Sequence, residues 1–218
     1  MIGRIAFPLF VWCLCVGAEY TRNIWKYALR LLLVGILAQP VYFWAMNHEW
    51  KILNIFFELL IGLLAIAAVQ KNWMGSRYWG PVLALLAAMA LPLSSSYGWQ
   101  GIVFILLLYA CRRSRAAIAA FMTAFCLYWG HSSTRLTELF GLTLPQQIPS
   151  LSTSAILLND LYRVQFWAIL ALPLMAIPMK KRLRLPKWVP YAAYPAHLLV
   201  IGVIRHWEQA KLFFSQWL

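Results

Sequence analysis

The chain has 218 residues, of which 63% are hydrophobic and 11% charged, with a formal net charge of +13. A soluble domain carries about 25% charged residues, so this composition excludes an ordinary soluble protein and points to a polytopic membrane protein. The basic residues lie in short clusters between apolar runs, without a continuous basic face or a recognition motif, which argues against nucleic acid and for membrane orientation.

The apolar runs predict helices over 5–18, 27–46, 52–70, 79–93, 98–111, 115–130, 160–179 and 188–204. The expected fold is therefore all-α, a bundle of about eight transmembrane helices. No repeat or low-complexity linker divides residues 1–218, so a single integral-membrane domain is expected.

The first run opens with "MIGRIAFPLF". One Arg precedes the apolar stretch and no small-residue cleavage site follows, so it does not read as a signal peptide. Arg4 stands at the mouth of the helix, and Pro8 falls in its first turns, where proline is tolerated. Gln39 lies near the end of the second run. Asn54 and Glu58 follow in the third, one turn apart on the same face. The turn "SSSYGWQG" between the fourth and fifth helices carries Tyr97, with Gly98 and Gly101 permitting close backbone approach. Arg112, Arg113 and Arg115 cluster after the fifth helix.

The long connection over 131–159 is polar with apolar interruptions, and residues 133–140 are predicted as a short interfacial helix. Asp160 is positioned for neutralisation by Arg163 one turn later. The last run, "YAAYPAHLLVIGVI", places His197 at mid-depth. His48, His131 and His206 fall in or near loops and read as solvated surface. Trp50, Trp73, Tyr78, Trp79 and Trp188, near run ends, read as interfacial anchors. The four cysteines show no CxxC or Cys/His spacing, so no metal site is expected.

Charge distribution sets the orientation. The turns after the first, third, fifth and seventh helices hold thirteen of the Lys and Arg residues: Arg22 to Arg30, Lys71 and Arg77, Arg112 to Arg115, and Lys180 to Lys187. The opposite side holds six, so the first set is predicted to face the cytoplasm and both chain ends to face outward. One helix upstream would return the N-terminus to the cytoplasm, so the chain is expected to begin late.

An ionisable group within a span costs several kcal/mol by most estimates and is a functional candidate by default. His197 and Glu58 meet that description. Glu58 reads either as a functional group or as a carboxylate facing an outer vestibule or a basic partner. Asn54 reads either as a site donor or as interhelical glue.

Three segments in order, "GRIAFPLF", "SSSYGWQGI" and "YPAHLLVIG", resemble the TraX family. So do "TRNIWKYALRLLLVGILAQPVYF" and "LNIFFELLIGLLAI" between them. The family pattern matches Gly3, Arg4, Phe7, Pro8 and Phe10, then Asn54, then Tyr97, Gly98 and Gly101, then Tyr194, His197 and Leu198. The family usually has a helix before the Gly-Arg motif, carrying an Asp-His pair, and this chain begins just after that point.

The resemblance implies a multi-pass protein of the bacterial inner membrane associated with conjugation and pili. It implies transfer of an acetyl group from acetyl-CoA to the N-terminal amine of a pilin or similar acceptor. The corresponding site expectation is His197 as base with Arg4, Asn54 and Tyr97 as donors. Arg112, Arg113 and Arg115 are the residues expected to hold the CoA phosphates, with the Lys180–Lys187 cluster as a further basic group. Two other readings accompany this one: acylation of an envelope carbohydrate, and a non-catalytic transport or assembly role. The absence of internal repeats and paired broken helices weighs against a transporter.

Overall fold

Polar residues at the turns decide where the helices begin and end. In the computed structural model, which describes residues 2–46, 52–72, 75–76, 78–90, 97–131, 138–139, 142–143, 166–176 and 189–215, eight α-helices follow one another. They are α1 (Ile2–Tyr20), α2 (Ile24–Met46), α3 (Ile55–Lys71), α4 (Trp79–Ala90), α5 (Gly98–Cys111), α6 (Arg115–His131), α7 (Ala171–Ala176) and α8 (Val189–Ser215). Asn23 Oδ1 accepts the Lys26 N–H at 3.1 Å, Ser76 Oγ the Tyr78 N–H at 3.2 Å and Ser114 Oγ the Ala117 N–H at 3.3 Å. The Asn23 and Ser114 bonds satisfy donors that a first helical turn leaves open, and the Ser76 bond shapes the turn just before α4. At the end of α3, Asn72 turns left-handed (φ 50°) and its N–H closes on the Ala68 carbonyl, a conformation that asparagine tolerates.

The all-α class holds for the described residues, with two departures from the expected elements. The helix predicted over 133–140 is not formed at its end. Glu138–Leu139 and Leu142–Thr143 pair instead as two-residue antiparallel strands, β1 and β2, with Leu139 opposite Leu142. That register leaves two residues, one of them Gly141, between the strands, a sequence suited to a hairpin. Within the seventh predicted helix, the described residues are not α-helical throughout. A 3₁₀ turn, Phe166–Leu170, leads into α7. Pro173 has no N–H to donate to residue 169, which disfavours an α-helical turn there. Residues 132–137 and 160–165, with Asp160 and Arg163, lie outside the described residues, as do Ser94–Ser96 and Lys180–Lys187.

The chain forms two compact units. Unit 1 comprises Met1–Glu19 and Phe104–Met179. Its core is aromatic. Phe7, from the first motif, is 1% exposed, with its ring 5.5 Å from Phe104 and edge-on to Trp129 at 6.0 Å. Phe125 meets Phe104 at 5.0 Å and Trp129 at 5.1 Å, both edge-on, the arrangement that ring quadrupoles favour. Pro8 sits deeper in α1 than the first turns, because the helix starts at Ile2.

Unit 2 comprises Tyr20–Val103 and Lys180–Leu218. In it α3 packs on α2 and α4, and α2 packs on α8. Helix α8 runs well past the predicted end, so His206 is helical. Its ring stacks on Trp44 at 4.7 Å, and Arg205 Nη1 donates to the Met46 carbonyl at 3.0 Å. These contacts tether α8 to the last turn of α2, where a cation is favourable.

Apolar side chains also line outward faces. Leu29, Leu33, Ile36 and Leu37 on α2 are exposed, as are Val82, Leu83, Leu86 and Met89 on α4. On α8 the exposed set runs from Leu199 through Ile204. Helix α2, with 23 residues, is long and apolar enough to cross a membrane, whereas α4, α5 and α6 are apolar but shorter.

Candidate functional site

Asn54 is the N-cap of α3 and is fully buried. Its Oδ1 accepts the Phe56 N–H at 3.0 Å. Its Nδ2 donates to the Gly35 carbonyl at 2.7 Å and to Gln39 Oε1 at 2.7 Å. Gln39 Oε1 also accepts the Asn54 backbone N–H at 3.1 Å, and Gln39 Nε2 donates to the Ile52 carbonyl at 2.7 Å. The two amides therefore clasp the end of α2 to the start of α3. Both amide hydrogens of Asn54 are engaged, so donation to a substrate would require one of these bonds to open.

One turn along α3, the Glu58 carboxylate is also fully buried. Its Oε1 accepts the Gly98 N–H at 3.0 Å, at the first residue of α5. A carboxylate at a helix N-terminus meets the positive end of the helix dipole, which offsets part of its desolvation. Gly98 has φ +52°, in the left-handed region that favours glycine. The turn thus needs a glycine where Glu58 needs a donor. Tyr97, immediately before it, is partly buried, and its carbonyl accepts the Gly101 N–H at 3.2 Å.

Tyr194 of α8 joins this cluster to His197. It is buried, and its ring stands edge-on to Phe56 at 5.1 Å and to His197 at 5.0 Å. Its hydroxyl faces the Ile55 backbone, with Tyr42, Tyr97 and Glu58 among the polar groups nearby. His197 itself is exposed, with Nδ1 3.3 Å from the Ala193 carbonyl one turn earlier. A carbonyl can only accept, so Nδ1 carries the proton in this bond and Nε2 keeps its lone pair in the neutral ring.

Of the residues expected from the sequence, Asn54, Tyr97 and His197 fall together in unit 2. Arg4 belongs to α1 in unit 1, and its side chain lies outside the described residues. Arg112 is held within unit 1. Its guanidinium lies 3.7 Å over the Tyr109 ring, donates to the Tyr109 carbonyl at 2.7 Å and sits 3.6 Å from Glu19. The Arg113 side chain is 81% exposed, 4.0 Å from Glu19, and Arg115 is exposed. Exposed guanidinium groups suit phosphate, whereas Arg112 is already committed.

Three members of the cluster were absent from the expected site: Glu58, Gln39 and Tyr194. The first two carried a signal, as polar groups within apolar runs. Tyr194 stands one helical turn before His197, a spacing that places the two on one face.

The family model described as TraX protein matches residues 1–205. A stretch of 75 residues is 33% identical to the probable fimbrial assembly protein FimC, serogroup H1, of Dichelobacter nodosus, covering 30% of this chain and 31% of that protein. The match thus spans about a third of that relative's length. No solved structure matches the chain significantly. The family match takes in the Gly-Arg segment of α1, the Tyr97 turn that Glu58 holds and the His197 segment of α8, and so the chain belongs to the TraX family.

Proposed function

We propose that this TraX-family chain is a multi-pass inner-membrane acetyltransferase that modifies the N-terminal amine of a pilin or similar acceptor. The observation that carries the reading is His197, with Nδ1 turned to the Ala193 carbonyl and Nε2 left as the basic nitrogen, beside a buried cluster of polar groups. The exposed aliphatic faces of α2, α4 and α8 support the membrane assignment, since contiguous apolar surface of this extent suits lipid. Exposed Trp25 and Trp44 bracket α2. Their spacing of 19 residues spans about 28 Å of helix, against a hydrocarbon core of about 30 Å.

Acetyl-CoA, when bound, supplies the acetyl group as a thioester. In the proposed reaction His197 Nε2 takes a proton from the attacking amine nitrogen as the C–N bond forms. It returns that proton to the departing sulfur as the C–S bond breaks. Tyr97 donates its hydroxyl hydrogen toward the carbonyl oxygen where negative charge develops. Asn54 fixes the start of α3. Arg113 and Arg115, in unit 1, are exposed basic groups of a kind suited to phosphate.

The test is His197→Ala in membranes, with acetyl-CoA and purified acceptor, read by mass spectrometry of the acceptor N-terminus. Acetylation is expected to fall by about a hundredfold or more, with insertion unchanged. A retained rate removes His197 from the mechanism. The fimbrial relative favours a second reading, a non-catalytic assembly role. Under that reading the wild-type chain transfers no acetyl group and His197→Ala leaves pilus assembly intact.

A further inference from the structure

Glu58 has no role in the reaction as written, yet it sits where the elements carrying Asn54, Tyr97 and His197 meet. It is fully buried, one turn beyond the Asn54 cap. Its Oε1 holds the Gly98 N–H at 3.0 Å, and Gly98 directly follows Tyr97 in the chain. The Tyr194 hydroxyl faces the Ile55 backbone at the start of the same helix, and its ring stands edge-on to Phe56 at 5.1 Å and to His197 at 5.0 Å. Two buried side chains thus connect α3 to the two groups assigned to the chemistry, Tyr97 through the α5 N-terminus and His197 through α8.

His197 needs such an outside support. It is exposed, and its ring hydrogen bond to the Ala193 carbonyl lies within its own helix. That bond fixes the tautomer but not the place of α8 relative to the Tyr97 turn. A reacting group displaced by about 1 Å can lose two orders of magnitude in rate. Burying a carboxylate is costly unless it is used, and a helix N-terminus offers it a favourable partner.

We infer that Glu58 and Tyr194 are positioning residues that set Tyr97 and His197 relative to one another, and that Glu58 acts as a hydrogen-bond acceptor for the Gly98 N–H. The inference rests on the acetyltransferase reading for its kinetic consequence only. The physical linkage exists whether or not the chain transfers acetyl groups.

The experiment compares Glu58→Gln, Glu58→Leu and Tyr194→Phe in the full chain in lipid nanodiscs. Three quantities are read: amide exchange over 98–101, the His197 ring resonance by NMR, and kcat and KM for acetyl-CoA. Glu58→Gln keeps an acceptor oxygen and is expected to leave all three near wild type, with kcat within about threefold. Glu58→Leu is expected to speed exchange at 98–101, shift the His197 resonance and lower kcat on the order of a hundredfold at unchanged KM. Tyr194→Phe keeps the ring and loses the hydroxyl. It is expected to shift the His197 resonance and lower kcat while 98–101 stays protected.

A Glu58→Leu protein that folds with exchange, resonance and kcat unmoved overturns the inference. So does a Glu58→Gln protein as impaired as Glu58→Leu, because charge rather than acceptance would then be the requirement. Should Glu58→Leu fail to fold, an unmoved resonance in Tyr194→Phe overturns it. A wild-type chain without acetyl transfer overturns the acetyltransferase reading alone, and the linkage is then decided by exchange and resonance.

Discussion

Asn54 has two separable duties, and substitutions can tell them apart. As an N-cap it needs only its Oδ1, which Asp would supply equally well. As the clasp to α2 it needs both Nδ2 hydrogens, for the Gly35 carbonyl and Gln39 Oε1. Asp at this position would face two acceptors with a third, inside a fully buried site. Asn54→Asp is therefore expected to destabilise the protein by about 1–3 kcal/mol, as much as Asn54→Ala. Denaturant unfolding in micelles measures both. An Asn54→Asp protein as stable as wild type would show that capping is the whole contribution. The sequence marks Asn54 as a polar residue in an apolar run, but its role depends on Gln39, fifteen positions away. Spacing along a single helix does not contain that information.

At the scale of elements, two glycines hold helices close in different ways. A Cβ at Gly80 of α4 would stand 2.3 Å from the Ala68 Cβ and 3.4 Å from the Ala65 carbonyl oxygen of α3. Ala68 Cβ is fixed to the backbone, so the helices themselves would have to separate. A Cβ at Gly202 of α8 would stand 2.2 Å from the Trp44 ring, but that ring is 44% exposed and has room to swing. Gly80→Ala is expected to cost about 1–3 kcal/mol as an overpacked contact, and Gly202→Ala measurably less. Thermal unfolding of the two variants under one detergent condition checks the order, and equal losses would show that Trp44 is as immobile as the α3 backbone. The caps at Asn23 and Asn54 place two of the helix starts at Ile24 and Ile55, away from the expected 27 and 52, but most helix positions were legible from the apolar runs alone. The far end of α8 was not, because Arg205 and His206 look like the residues of a loop. Their partners are backbone carbonyls of α2, more than 150 positions earlier. The hairpin over 138–143 was missed for a related reason, since four residues of strand show no periodicity of their own.

At the scale of the molecule, the chain passes between the two units at Glu19–Tyr20, inside α5 between Val103 and Phe104, and at Met179–Lys180. The crossing inside α5 has no polar run to mark it, whereas the last one falls at the start of the Lys180–Lys187 basic cluster. The orientation of α5, by contrast, is written in charge. Its C-terminal end runs into Arg112, Arg113 and Arg115, while its first turn contains only Trp99 and Gln100 around the Gly98–Gly101 pair. On the proposed multi-pass reading, the positive-inside rule places the arginine end in the cytoplasm. Helix α5 has 14 residues and spans about 21 Å, shorter than a hydrocarbon core of about 30 Å. The Tyr97 turn should then lie below the outer interface, with the bilayer thinned or water admitted above it. Single cysteines at Trp99 and Ser114, in a chain freed of its four native cysteines, test both points. Trp99→Cys is expected to react with a small membrane-impermeant thiol reagent added from outside, and more slowly with a bulky one. Ser114→Cys is expected to react only after the inner membrane is opened. Reversed labelling would invert the orientation, and labelling of both from the same side would show that α5 does not cross.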